Sequence, residues 1–351
     1  MKKIAIIIPA LRNVGPVRVA YDIIEQLQEK HDANQVKFEV FYLDEKGDIK
    51  FPCKQTRLTI FNFWELYKFG VIHSHMIRPD LINSLIFCFK GKKISTIHNI
   101  VETDLFYSHG KVIAAVFSRI WKFIWKNIDL KVVLTNTAKN YYISRLNIPS
   151  CDIRIINNGV ESLQKPEQFE PDILDAVNRF KSKGLKILGT VSLFNKRKGI
   201  EQIIQMLSID LNLACVIIGD GPILNELKDL SVKLHVEDRV FFSGFRNNGK
   251  KHVFLFDCYI MPSREEGFPL ALTEALSSGV VTVCSNIPVF NEILDENTTT
   301  FFELDDLYSL KNAVHHSIAH STRLSYEAKT KFNSFYTREI MAEKYFQLYV
   351  A

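Results

Sequence analysis

Two glutamates eight positions apart, Glu266 and Glu274, are the side chains here whose type and spacing best suit chemistry on a polyhydroxylated anion. They stand in SREEGFPLALTEALSSG, residues 263–279, between an apolar run ending near Met261 and a helix expected to start near Pro269. At about 1.5 Å per helical residue the carboxylates lie on the order of 10 Å apart. That is about the distance from a hexose to the ribose of its nucleotide. Between them, the first amides of the helix, at Leu270 and Ala271, have no intrahelical partner and point toward the loop of Gly267, Phe268 and Pro269. A diphosphate can bind such amides without a metal, and Gly267 lets the backbone come close. Taken singly, each glutamate is equally well read as a helix-end charge or a solvated side chain. Glu274, however, sits among Ala271, Leu272, Ala275 and Leu276, where an unpaired carboxylate is costly.

His98 closes the run Ser95-Thr96-Ile97-His98-Asn99 at a strand end, the place where ligands meet doubly wound sheets. An isolated histidine there is more often structural. His73 and His75 also fall at a strand end, with side chains on one face. Two imidazoles are too few for a zinc site, so His75, with Arg12, is a candidate for the acceptor side only. No Asp-x-Asp triplet occurs, and no metal ligand is assigned. No Gly-x-Gly-x-x-Gly follows the first strand, which argues against a nicotinamide dehydrogenase.

Short apolar runs alternating with amphipathic stretches must position these residues, the pattern of parallel sheets covered by helices. One series is KIAIIIP, VKFEVFYL, GVIHSH, KKISTIHN, LKVVLT and DIRIINNG, with helices expected at residues 16–29 and 111–126. The polar stretch ESLQKPEQFEPD reads as a linker. A second series follows: LKILGTVS, LACVIIGD, RVFFSG, DCYIMPS, VVTVCS and TTTFFEL. The 351 residues, 47% of them hydrophobic, suffice for two α/β cores. The expected domains are 1–160 and 161–334, with a final helix, 335–351, crossing back to the first.

Six scattered cysteines without a Cys-x-x-Cys pair read as buried free thiols in a reducing cytoplasm. The start, MKKIAIIIPALR, is a first strand and not a signal peptide, because its apolar run is short and contains Pro9. Up to Val160 there are 23 basic and 14 acidic residues, a balance of +9; beyond it 21 and 25, a balance of −4. A basic first half suits an anionic partner, and no nucleic-acid-binding motif accompanies it. Residues 111–126, KVIAAVFSRIWKFIWK, place Lys111, Ser118, Lys122 and Lys126 on one helical stripe with both tryptophans opposite. That pattern fits a core helix with one solvated face as well as a helix lying on an anionic membrane.

The span with Glu266, Glu274, Ala275 and Gly279 resembles the signature of the large retaining GT-B glycosyltransferase family, group 1 or family 4 type, which includes bacterial polysaccharide enzymes. The resemblance runs over nearly the whole chain, in order, through PALRNVGPVRVAYDII, STIHN, IINNGV, KRKG and IIGDGP. It implies an α/β fold of two Rossmann-like domains facing an interdomain cleft. It also implies that Glu266 binds hydroxyls of the donor hexose, Glu274 the ribose, Lys198 and Gly15 the diphosphate, and His98 the sugar. His98 and Glu266 are thereby the catalytic candidates. Two positions depart from the family pattern: the first loop has Val14-Gly15-Pro16 in place of paired glycines, and Leu193 stands where an arginine is often found. Arg197 or Lys196 is then the candidate second cation.

The expected activity is metal-independent, retaining transfer of a hexose or N-acetylhexosamine from a nucleoside diphosphate sugar, a uridine one, to a sugar or lipid-linked acceptor in cell-surface polysaccharide synthesis. No cofactor beyond the nucleotide sugar is expected, and the expected location is cytoplasmic, peripheral on the inner membrane face. The alternatives are a nucleotide-sugar epimerase of similar fold and a non-catalytic sugar-nucleotide-binding subunit.

Overall fold

The computed structural model describes all residues except 32–34, 46, 48 and 103–109. By contacts the chain forms two compact units, Met1–Val160 with Tyr336–Ala351, and Glu161–Phe335.

The first unit is built on seven parallel strands in the order β3-β2-β1-β4-β5-β6-β7. They are β1 (Lys2–Ala10), β2 (Val36–Asp44), β3 (Lys54–Arg57), β4 (Val71–His75), β5 (Lys92–Ile97), β6 (Leu130–Val133) and β7 (Ile153–Ile155). β1 is buried on both faces, which is why it reads as an unbroken apolar run. Ile4, Ile6 and Ile8 pack with Val17, Ala20 and Ile24 of the helix Gly15–Lys30 and with Met341, Tyr345 and Tyr349 of the last helix, Arg338–Val350. Ala5 and Ile7 face the other way, onto Phe41, Leu66 and Ile72. The edge strand β3, sequence KQTR, was not expected; it has no apolar alternation to betray it and is held by pairing with β2.

The second unit has six parallel strands in the order β10-β9-β8-β11-β12-β13. They are β8 (Lys186–Val191), β9 (Leu213–Ile218), β10 (Val240–Gly244), β11 (Cys258–Met261), β12 (Thr282–Ser285) and β13 (Thr300–Phe302). All six coincide with expected runs. In both sheets the strand order reverses beside the first strand of the series, and at such a switch point the carboxyl ends of adjacent strands open a crevice. The stretch read as a linker runs into a helix, Pro171–Ser182, whose Pro171 is preset for a first helical turn.

Two expectations need correction. The six cysteines are unpaired, but only Cys215, Cys258 and Cys284 are buried; Cys88 and Cys151 lie exposed outside the strands. In the helix Lys111–Trp125, Trp121 and Trp125 point into the core with Ser118, against Val133, Tyr142 and Ile153. Exposed beside Lys111 and Arg119 are the apolar side chains of Val112, Ile113, Val116, Phe117, Ile120 and Phe123. Tryptophan area is too large to leave in water when a neighbouring helix offers a pocket.

Candidate active site

In the second unit, the loop after β11 carries Ser263 and Glu266 to the sheet's carboxyl end, and the turn Lys196–Lys198 arrives beside it from the loop after β8. Arg264 clamps the two loops: its backbone N–H donates to Arg197 O at 2.8 Å, and its guanidinium reaches Lys196 O, Glu201 and Asp305. Gly199 makes the approach possible. It sits at φ +63°, and a Cβ there would come within 2.1 Å of Pro262 O.

The result is a buried ion pair. Lys198 Nζ lies 2.6 Å from Glu266 Oε1, with side chains 16% and 5% exposed. Ser263 Oγ donates to the same oxygen at 2.7 Å and is backed by the Ser285 hydroxyl, which donates to Ser263 O. Both contacts fall on Oε1, so Oε2 is the oxygen left to accept from a ligand hydroxyl. Burial alone would push the Glu266 carboxyl upward, but the charges of Lys198 and Arg197 outweigh it and hold the group below the usual glutamate range. Lys198 has three N–H donors and directs one at Glu266, which leaves two for an anion.

Glu274, on the helix Leu270–Ser278, is half-buried and pairs with Lys250 Nζ at 2.8 Å. The expectation of free amides at the helix start holds only in part. No side chain caps this terminus, but the Leu270 N–H turns back onto Phe268 O at 3.0 Å. Phe268 and Pro269 are buried, and Gly267 is half-exposed. A pocket at the ends of β8, β9 and β10 is lined by Ser192, Leu193, Gly219, Asp220, Phe245 and Arg246. Gly219 is required there, since a Cβ would lie 1.9 Å from Ser192 O.

In the first unit, Arg12 and Gly15 follow β1, Arg12 exposed and Gly15 opening its helix with Pro16 next. His98 follows β5 and lines a small pocket with Pro16, Met76, Asp80 and Trp125. His75 ends β4 but is fully buried, so it cannot line an acceptor surface; its Nδ1 lies 3.1 Å from His98 Nε2. Burial keeps both rings neutral, His98 down at about 3 and His75 well below its ordinary value. Asp80, equally buried, accepts from Trp125 Nε1 at 2.9 Å and Ser74 Oγ at 2.7 Å, and burial raises it to about 7.

Sequence reading did not single out Ser263, Lys250, Arg264 or Asp80. Their partners stand 3, 24, 41 and 45 residues away, and only the three-residue case lies within reach of a sequence pattern. Among the described residues no three His, Cys, Asp or Glu side chains cluster as metal ligands would. None of the helices among them is long and apolar enough to cross a membrane.

Two doubly wound parallel sheets, of seven and six strands, are the architecture of the GT-B glycosyltransferases. The family models agree: "Glycosyltransferase Family 4" matches residues 15–162 and "Glycosyl transferases group 1" residues 175–315. The O-antigen biosynthesis glycosyltransferase WclY of Escherichia coli is 30% identical over 99% of this chain and 98% of its own length. An E. coli UDP-Gal:alpha-D-GlcNAc-diphosphoundecaprenol alpha-1,3-galactosyltransferase is 25% identical over 73% of this chain and 68% of its own. The solved structure of Anabaena HepE with UDP and glucose superposes with a TM-score of 0.80 at 13% identity, covering 99% of both chains. The chain belongs to the group 1, family 4 glycosyltransferases.

Proposed function

We propose that this glycosyltransferase moves a hexose or N-acetylhexosamine, with retention, from a uridine diphosphate sugar to a sugar or lipid-linked acceptor in cell-surface polysaccharide assembly. The observation that carries the reading is the Lys198–Glu266–Ser263 cluster, a buried carboxylate kept ionised with one oxygen free and an ammonium with donors to spare. A uridine nucleotide is supported by the relative named for UDP-Gal and by the UDP bound to HepE, and a lipid-linked acceptor by the same galactosyltransferase's name.

In this reading Glu266 Oε2 accepts from donor-sugar hydroxyls and Glu274 from the ribose, while Lys198, Arg197, Gly15 and the Ala271 amide meet the diphosphate. Leu193, Phe245 and Ser192 border the base. His98 contacts the sugar, and Arg12 lies on the acceptor side. The acceptor oxygen bonds to the anomeric carbon on the face the diphosphate leaves. The bond from that carbon to the phosphate oxygen breaks, and the hydroxyl proton passes to the departing phosphate. Lys198 stabilises the charge that develops there. The exposed apolar side of the helix Lys111–Trp125, flanked by Lys111 and Lys126, rests on an anionic membrane surface.

Calorimetry with UDP tests the donor assignment. Glu274→Ala should stay folded and bind at least about tenfold more weakly, the loss of one or two charge-assisted hydrogen bonds. Unchanged affinity would reject the role given to Glu274.

A further inference from the structure

Three histidines of the first unit, His73, His75 and His98, form a connected array of which only His98 has a role in the donor reading above. His75 stands against His73, ring centroids 4.3 Å apart. His73 is held at both nitrogens, Nδ1 2.7 Å from the Tyr349 hydroxyl and Nε2 2.8 Å from Thr96 Oγ1. Thr96 Oγ1 in turn lies 2.8 Å from the Tyr345 hydroxyl. The last helix of the chain thus fixes His73, and His73 fixes the plane on which His75 rests. At the end of this array is the 3.1 Å contact from His75 Nδ1 to His98 Nε2.

Two neutral imidazoles can share that contact in only two ways. Either His75 Nδ1–H donates to a bare His98 Nε2, or His98 Nε2–H donates to a bare His75 Nδ1. The other His75 nitrogen, Nε2, decides between them, because it is sealed from solvent and has no hydrogen-bond partner among the described residues. In the first arrangement Nε2 is an unused lone pair; in the second it is a buried N–H with nothing to accept it. Orphaned buried donors are the rarer and costlier defect. The first arrangement therefore holds, and the single proton of neutral His98 sits on Nδ1.

We propose that His75 is a positioning residue that fixes His98 as its Nδ1–H tautomer, so that His98 meets the sugar as a hydrogen-bond donor and not as a base. The proposal rests on the sugar contact assigned to His98 above. It makes His98 a binder of hydroxyl or ring oxygen, in keeping with a proton that leaves on the phosphate.

The test uses the full chain labelled with ¹⁵N-histidine and two-bond proton–nitrogen correlation spectra, with His98 assigned from its loss in His98→Gln. The wild type should show an Nδ1-protonated His98. His75→Phe should remove that signature and lower kcat about 10- to 100-fold, as loss of an orienting partner does elsewhere, with UDP affinity unchanged. His75→Asn places an amide N–H₂ where Nδ1 was and should restore turnover; His75→Gln places it where Nε2 was and should not. An Nε2-protonated His98 in the wild type overturns the proposal, as does wild-type turnover in both His75→Phe and His75→Gln. If His75→Phe fails to fold, the Asn and Gln variants decide alone. Full turnover in His98→Gln would remove the sugar contact itself, a failure distinguishable because the tautomer spectrum is read without substrate.

Discussion

At the residue scale the site is a problem of keeping charges in a place that disfavours them. Glu266 is buried and stays ionised because the charges of Lys198 and Arg197 outweigh its burial, while Lys198 and Ser263 both serve its Oε1. The charge that would make it a liability is what fits it to hold sugar hydroxyls. Removing one partner of a buried pair leaves the other unpaired, which costs about 3–5 kcal/mol, whereas replacing both by neutral groups costs far less. Lys198→Ala should therefore destabilise the second unit by a few kcal/mol, and adding Glu266→Gln should recover part of that loss while UDP-sugar binding stays impaired. Urea unfolding of both single variants and the double variant measures the coupling, and strictly additive losses would show that the pair is not the unit described. Glu266 and Glu274 were legible because they sit in one contiguous span of fixed spacing. Ser263, in that same span, was not, since a serine before a turn has many ordinary uses. Lys250 was not, because its meeting with Glu274 depends on two loops converging.

At the scale of elements, the strands were legible wherever burial on both faces left an apolar run, as in β1 and β9, and illegible where pairing alone makes the strand, as in β3. Helix faces were harder. Residues 111–126 read as a charged stripe opposite a tryptophan face, but the array Ala114, Ser118, Trp121, Trp125 is the one that packs inward. Trp125 is drawn there by a hydrogen bond to Asp80 that no periodicity could show. The consequence is that the face proposed to meet a bilayer is aliphatic and phenylalanine-rich, with Val112 77% and Phe123 65% exposed. Combined Phe117→Ser, Ile120→Ser and Phe123→Ser should abolish flotation with anionic vesicles and leave UDP binding intact. Trp121→Ala and Trp125→Ala should instead unfold the helix. If the triple serine variant floats like the wild type, this face is not a membrane contact.

At the scale of the whole molecule, the first unit is closed by the last residues of the chain. Val160 and Thr337 form a parallel bridge, flanked by Val160 N–H to Tyr336 O at 2.9 Å and Arg338 N–H to Val160 O at 3.2 Å. Gly159 permits the contact, for a Cβ there would lie 2.1 Å from Thr337 O. The helix that follows brings Tyr345 and Tyr349 onto the histidine array, so residues more than 240 positions away in sequence cover His73. The folded values of the three imidazoles, about 3 for His73 and His98 and well depressed for His75, lie below the unfolded value near 6.5. Stability from such groups is present above pH 6.5 and is lost as pH falls toward the folded values, by about 1.4 kcal/mol per pH unit for each buried ring. His98, partly exposed, contributes least. Asp80 acts in the opposite sense: its value is raised to about 7, so its contribution is present below the unfolded value near 4 and is lost as pH rises through 7. Between pH 7 and 5 the histidines outnumber it, and the first unit should lose stability on acidification, more steeply in Asp80→Asn. All three tryptophans, Trp64, Trp121 and Trp125, lie in this unit, so their fluorescence reads its melting without the other. A fluorescence Tm that stays level from pH 7 to 5 would mean the histidines are not held neutral by burial.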